Sequence, residues 1–275
     1  MSELDVIATV RAACVAHDGQ DPLDEKAALG LKHRGLDGAQ LWVEDGGFAL
    51  VREGDLTLAV DPASRRRGLG GRLLERAVRA APAHAWSHGD HPAAALLAEH
   101  IGWRRTRDLW VMRRPMATAL PPLELPDSVQ VRGYRESDET QLLAINAAAF
   151  AHHPEQGEMD AGELAQRMAE PWFDPAGLLV AVDESGMLGF HWTKRHDDRT
   201  GEVYVVGVSP GAQGRGLGKV LTLAGLHHLA GLDVEEVLLY VESDNAPAVA
   251  VYSRLGFDHA DTDTHVQYRR RPPGI

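Results

Sequence analysis

VSPGAQGRGLGKVL, Val208 to Leu221, sets Gly214, Gly216 and Gly218 between a valine-rich run and an apolar one. The run before it, EVYVVGV from Glu202, has the β-branched and aromatic residues of a strand; the run after it, KVLTLAGLHHLAGL, reads as a helix. A strand that turns through glycines into a helix start leaves backbone N–H groups unpaired, where the helix dipole favours an anion. Gly216 and Gly218 carry no side chains, so a diphosphate can approach the backbone, and Arg215 adds a charge-assisted contact. A plain β–α turn also uses glycine, so the loop alone leaves both readings open. No Lys-Ser/Thr follows it and the G-x-G-x-x-G spacing is absent, so neither a Walker A loop nor a dinucleotide fingerprint is present.

The arrangement occurs twice. VDPASRRRGLGGRLL starts at Val60, and 208 − 60 = 148 brings the two into register. Val60, Pro62, Arg67, Gly68, Leu69 and Gly70 then match Val208, Pro210, Arg215, Gly216, Leu217 and Gly218. DLTLAV from Asp55 precedes the first loop as EVYVVGV precedes the second. Each half continues with a helix-like run, a second strand-like run, and a helix closing on glycine plus an aromatic residue: LLAEHIGW in one, AVYSRLGF in the other. Strand, loop, helix, strand, helix in the same order twice implies two copies of one domain. RPMATALPPLELPDS, Arg114 to Ser128, is rich in proline and aperiodic, and reads as the linker. The expected architecture is α/β with a mixed sheet: a domain at 1–113, the linker at 114–128 and a second domain at 129–275.

Composition limits the rest. The chain has 275 residues, a length that suits two domains, with 44% hydrophobic and 25% charged residues, the balance of a globular protein. No run approaches the roughly 18 apolar residues of a membrane span, and the acidic N-terminus is no signal peptide. One cysteine, Cys14, forbids an intrachain disulfide and fits a cytoplasmic location. The 14 histidines are scattered without metal-ligand spacing, so no metal is expected. A net charge of −12 argues against a nucleic-acid partner. A monomer is expected.

Gln213-Gly214-Arg215-Gly216-Leu217-Gly218 after a strand resembles the acyl-CoA pyrophosphate loop, Q/R-x-x-G-x-G/A, of the GCN5-related N-acetyltransferases (GNATs). SDNAPAVAVYSRLGF, with Asn245, Tyr252, Gly256 and Phe257, resembles a later motif of that family. The second half is similar, through GFHWTK, GEVYVVGV and LLYVESDNAPAV, to tandem GNATs that acetylate the cysteinyl amine of a cysteinyl-glucosaminyl-inositol. The first half resembles them in organisation and in GDHPAAALLAEHIGWRR. The resemblance implies acetyl-CoA as co-substrate, a small thiol-sugar as acceptor, and catalysis in the second copy.

On that basis Glu202 takes the amine proton, directly or through water, and Tyr252 protonates the leaving thiolate. Backbone N–H groups at Val206, Gly207 and Val208 face the thioester, with Gly207 expected at a bulge or a close approach by ligand. The remaining cofactor contacts are Gln213 to Gly218, Lys219 and Asn245. In the first copy they are Leu58, Ala59, Val60, Arg66, Arg67, Gly68, Leu69, Gly70 and Gly71. At the 148-residue offset Gly54 stands opposite Glu202 and Ala59 opposite Gly207; aligning the closing glycines puts Ala98 opposite Tyr252 and His91 opposite Asn245. The first copy is therefore expected to bind acetyl-CoA or act as a scaffold, without catalysis. Resemblance also nominates Glu155, Lys194, Glu202 and Tyr240 as acceptor contacts, with Glu25 from the first half, and a substrate site shared by the two domains. Two other functions stay open: acetylation of a different small amine, and a non-catalytic acyl-CoA sensor.

Overall fold

The computed structural model describes residues 2–151 and 154–270, the side chains of 154 and 155 excepted. In chain order the elements are α1 (Glu3–Asp18), α2 (Glu25–Arg34), β1 (Ala39–Glu44), β2 (Gly47–Arg52), β3 (Asp55–Val60), α3 (Leu69–Ala77), β4 (His84–Ser87), α4 (Pro92–His100) and β5 (Trp103–Pro115). There follow β6 (Gln130–Gly133), α5 (Glu139–Ala149), α6 (Pro154–Gly157), α7 (Ala161–Met168), β7 (Leu178–Asp183), β8 (Gly186–Arg195) and β9 (Thr200–Val208). The chain ends with α8 (Leu217–Ala230), β10 (Glu236–Glu242), α9 (Ala246–Arg254) and β11 (Asp258–Arg270). This is the mixed α/β class expected, in two compact units.

The first unit contains residues 2–110, 242–244 and 260–270. Its strands run β1-β2-β3-β4-β11. The β1–β2 and β2–β3 pairs are antiparallel, β3–β4 is parallel, and β11 is antiparallel to β4, Val266 facing Ser87. Every residue of β2 is buried, because helices cover both faces of the sheet. Phe48, Leu50 and Ala59 pack with Ile7, Val10 and Cys14 of α1 on one face. Ala49, Val51 and Leu56 pack with Leu69, Leu73 and Leu74 of α3 and Ala98 of α4 on the other.

The second unit contains residues 111–241 and 245–259, with strands in the order β10-β9-β8-β7-β6. Only β9–β10 is parallel among its given registers. One face carries Phe190, Trp192 and Val205 against Leu142 and Ile145 of α5 and Leu164 of α7. On the other face Ala181 and Leu188 meet Leu217 and Leu221 of α8.

The units divide the chain differently from the expected boundaries. Most of β11 sits with the first unit, because its strand partner is β4. Residues 111–128 sit with the second unit. Arg114, read as the start of a linker, is buried there: its Nε donates to the Leu255 carbonyl (2.8 Å) and an Nη to the Thr118 carbonyl (2.8 Å). A strand-end arginine thus gathers the carbonyls of the proline-rich segment that follows it.

His191 of β8 locks α8 to the sheet. It is fully buried, and its Nδ1–H donates to the Leu221 carbonyl (2.7 Å), while Nε2 has no partner. Gly225 of α8 makes room for the ring; a Cβ there would lie 2.0 Å from it. Loss of water pushes the imidazole from 6.5 down to about 4. The folded state therefore binds fewer protons than the unfolded state between those values, and stability falls as pH drops from 6.5 toward 4, by at most about 3 kcal/mol from this residue. Urea unfolding midpoints across that range should show the loss, and a His191→Asn variant, less stable throughout, should show a shallower pH slope.

Candidate active site

The parallel register between β9 and β10 covers four positions, Thr200–Glu236 to Val203–Leu239, and goes no further. Beyond it β9 runs on to Val208 and β10 to Glu242 as diverging strands. The antiparallel β8–β9 register shows why. Trp192 faces Val205 and Thr193 faces Val203, so Tyr204 is an extra residue, a β-bulge in β9. A bulge bends its strand and raises the local twist, which turns the end of β9 away from β10. Backbone groups of β9 beyond Val203 on that side are left for a ligand.

The bulge corrects two expectations. It sits at Tyr204 and not at Gly207, where a Cβ would meet the Phe190 ring at 2.6 Å: that glycine accommodates a core phenylalanine. It also changes the comparison of the copies. The β2–β3 register runs without a shift, so counting from Val60 and Val208 through the extra residue puts Asp55, not Gly54, at the position of Glu202. The cross-strand partners agree, Arg52 facing Asp55 and Lys194 facing Glu202.

Glu202 is buried, with 5% of its side chain exposed, and its Oε2 lies 2.7 Å from Nε2 of His196. Its ladder partners Lys194 and Leu238 share its face, and Tyr240, two residues on from Leu238, is 43% exposed. The Lys194 ammonium lies 4.7 Å from the ring centre of Trp172 and 5.1 Å from that of Tyr204. Trp172, Tyr204 and Trp192 form a cluster with ring centres 5.1–5.9 Å apart. This face thus presents a carboxylate, a cation held over aromatic faces, and a phenol.

Tyr252 lies on α9, half-buried, its ring edge-on to Phe257. Burial pushes its phenol up to about 12, so the hydroxyl stays protonated near neutrality and can donate to a thiolate. Asn245 is the N-cap of the same helix, its Oδ1 accepting from the Ala248 N–H (3.2 Å). Gln213 to Gly216 are exposed, Gly214 and Gly216 adopt φ of 79° and 75°, and no side chain caps α8. A Cβ on Gly214, Gly216 or Gly218 would meet nothing within 4 Å, so the loop lies open to an anion. Lys219 is exposed in the same first turn, and Arg215 makes only a long contact with Asp183 (3.4 Å). These residues fit the diphosphate of a CoA ester.

The first unit repeats the framework. Arg66 and Gly68 adopt φ of 64° and 77°, as Gly214 and Gly216 do, and α3 likewise lacks a side-chain cap. Leu69, Gly70 and Gly71 open that helix, next to Arg67. Leu58, Ala59 and Val60 end β3, whose parallel register with β4 covers two positions only. Where these strands part, Pro22, Asp24, Asp55, Leu56, Thr57, Trp86 and His88 line a small cleft open to solvent. His91 caps α4 as Asn245 caps α9, and Ala98 is buried in the core at the place of Tyr252. The Asp55 carboxylate is paired with His84, with the Lys26 ammonium 3.9 Å away. Glu25 is half-buried at the start of α2. Glu155 lies outside the residues whose side chains are described.

Sequence reading missed His196, Asp55 and the aromatic seat of Lys194. The hairpin signal in TKRHDDRTGEV, a polar turn between two strands, was the available clue that His196 returns to Glu202. No signal in the sequence distinguishes a bulge at Tyr204.

Among the described residues no group of three or more His, Cys, Asp or Glu could hold a metal ion, and no helix is long and apolar enough to cross a membrane. A splayed parallel pair, a glycine loop at a helix start and a buried strand carboxylate define an acetyl-CoA-dependent N-acetyltransferase of the GNAT type. The model of the acetyltransferase (GNAT) family matches residues 143–257. A GCN5-related N-acetyltransferase from Sphaerobacter thermophilus superposes with a TM-score of 0.71 at 25% identity, covering 98% of this chain and 93% of the other. A tandem GNAT protein of the clavulanic acid pathway has the same fold, at a TM-score of 0.70 and 17% identity over 99% and 97% of the two chains. Mycothiol acetyltransferases are similar along the whole sequence: 58% identity for that of Nocardioides sp., over 97% of both chains, and 48% for that of Salinispora arenicola, over 97% and 92%. The chain belongs to the mycothiol acetyltransferase family.

The loop can be tested without chemistry. Gly218→Asp places a carboxylate at the second position of α8, which suits the helix dipole but repels a diphosphate. Calorimetric titration with CoA should show binding to the second unit weakened at least about tenfold, or about 1.4 kcal/mol, while the melting temperature stays within a few degrees.

Proposed function

We propose that this protein transfers the acetyl group of acetyl-CoA to the cysteinyl amine of desacetylmycothiol, giving mycothiol, with the second unit doing the chemistry. The observation that carries the reading is Glu202, buried at the mouth of the β9–β10 splay and on one face with Lys194 and Tyr240. Acetyl-CoA supplies an acyl carbon activated as a thioester. The chain's own residues then bind, orient and move protons.

An α-amine has a reference pKa of about 8 against about 10.4 for lysine, so it loses its proton near neutrality at less cost. Glu202 accepts that proton. Backbone N–H groups of Val206 to Val208, past the end of the ladder, hold the thioester oxygen as it gains charge. Tyr252 gives its proton to the departing sulfur and is restored by the second proton the amine loses. Gln213 to Gly218, Lys219 and Asn245 hold the cofactor. Lys194 and Tyr240 hold the hydroxyl-rich end of the acceptor.

The first unit, on the same reading, binds acetyl-CoA through Leu58 to Val60 and Arg66 to Gly71 without turning it over. Asp55 stands at the register of the base, beside His84, but Ala98, at the place of Tyr252, offers no proton to a thiolate. The protein acts on a small molecule in the cytoplasm as a monomer.

Product formation followed by mass spectrometry tests the acceptor. Desacetylmycothiol should be acetylated at a kcat/KM at least a hundredfold above glucosamine or a lysine peptide, and Tyr252→Phe should lower kcat by about 10²-fold with little change in KM. Equal turnover of a control amine would keep the acetyltransferase and discard this acceptor. Binding of acetyl-CoA with no turnover of any amine would make the chain an acyl-CoA sensor.

A further inference from the structure

Amide formation from an ammonium and a thioester gives an amide, a thiol and one proton: R–NH₃⁺ plus acetyl–S–CoA yields R–NH–acetyl, CoA–SH and H⁺. The C–S bond breaks, the C–N bond forms, one amine proton ends on sulfur and the other must reach water. The base that takes it is buried. Glu202 exposes 5% of its side chain, so each turnover needs a way out for a proton from an enclosed carboxylate.

His196 is placed to provide it. Its Nε2 lies 2.7 Å from Glu202 Oε2, while 34% of its side chain faces solvent. One end of the ring therefore touches the base and the rest reaches water. The ring is held in place by a rigid turn: His196 N–H donates to the Thr200 carbonyl (2.9 Å), and Asp197 Oδ1 accepts from the N–H groups of Arg199 and Thr200, each at 2.7 Å. The other charged groups around it have partners of their own. Arg195 binds the Asp197 carbonyl and Asp198, Arg199 binds Glu235, and Lys194 lies over Trp172 and Tyr204. His196 is the one imidazole among the described residues of this turn.

We infer that His196 is the proton relay of Glu202, a positioning and proton-carrying residue that empties the base into solvent after each turnover. This rests on the reading of Glu202 as the base. The proton leaves the amine nitrogen for the Glu202 carboxylate. With the ring in its Nδ1–H tautomer Glu202 passes its proton to Nε2, the Nδ1 proton leaves for water, and proton exchange with water returns the neutral ring to that tautomer. No bond to carbon changes in these transfers, and no further reactant is required.

Mass-spectrometric kinetics on the full-length protein should include His196→Ala, His196→Gln and Glu202→Gln, each checked for folding by circular dichroism and for CoA binding. His196→Ala should lose about 10- to 100-fold in kcat, less than loss of a direct general base costs, with KM for acetyl-CoA unchanged. Added imidazole should restore most of that loss in a saturable way, and should do nothing for Glu202→Gln. His196→Gln, which keeps a hydrogen bond but carries no proton, should stay as slow as His196→Ala. Wild-type rates in either His196 variant, or a loss in His196→Ala that imidazole leaves untouched, overturn the relay. If the wild type prefers another amine to desacetylmycothiol, the proposed acceptor fails while the relay is read on that amine. No turnover on any amine removes both.

Discussion

A parallel ladder that stops after four residue pairs is the constraint on which the second unit depends. Thr200 to Val203 bind β9 to β10, and past Val203 the strands separate. Sheet hydrogen bonding normally consumes every backbone donor in a central strand. Here the ladder is cut short inside the sheet, after Val203. The extra residue at Tyr204 turns β9 aside at the same place. Its ring is not wasted, since it forms one wall of the aromatic seat for the Lys194 ammonium.

Everything chemical is arranged around that opening. The glycine loop lies at the end of β9 and leads into the uncapped helix start of α8. Glu202 lies just inside the last paired residues, where the sheet is closed and water is scarce. The two settings differ in kind: the phosphate end is exposed and offers backbone donors, whereas the acid–base end is buried and offers side chains. A buried base is a strong local electrostatic element but a poor exchanger of protons with the medium, and the contact with His196 answers that difficulty. The first unit keeps the frame with different side chains. Its loop has the same left-handed positions, even where Arg66 takes one that costs a side-chain-bearing residue about 1–2 kcal/mol. Its strand carboxylate, Asp55, contacts His84, and alanine fills the place of the phenol.

Much of this was legible in the sequence. The repeat of strand, glycine loop and helix gave both the mixed α/β class and the two copies, because glycine placement and hydrophobic periodicity are local signals. Glu202, Tyr252 and the loop were nominated from motifs and from the family resemblance those motifs carry. What failed to show depended on contacts distant in sequence. The equivalence of Gly54 and Glu202 broke on one inserted residue, since a bulge changes register without leaving a mark in composition. Gly207 was expected at a bulge or a close approach by ligand; the bulge lies at Tyr204, and a Cβ on Gly207 would meet a phenylalanine of the neighbouring strand. The segment from Arg114 looked like a free linker, and its first residue is among the most buried arginines of the chain. The partner of β4 is a strand from the far end of the chain, beyond the reach of any local pattern.

The central claim is that Glu202, and not its register partner Asp55, is the base. The most direct measurement is the rate of acetylated product formation from desacetylmycothiol in Glu202→Gln and Asp55→Asn, made side by side with acetyl-CoA saturating. The account predicts a fall of about 10²–10⁴-fold in the first and a rate within about twofold of wild type in the second. Retained activity in Glu202→Gln, or a comparable collapse in Asp55→Asn, would contradict it.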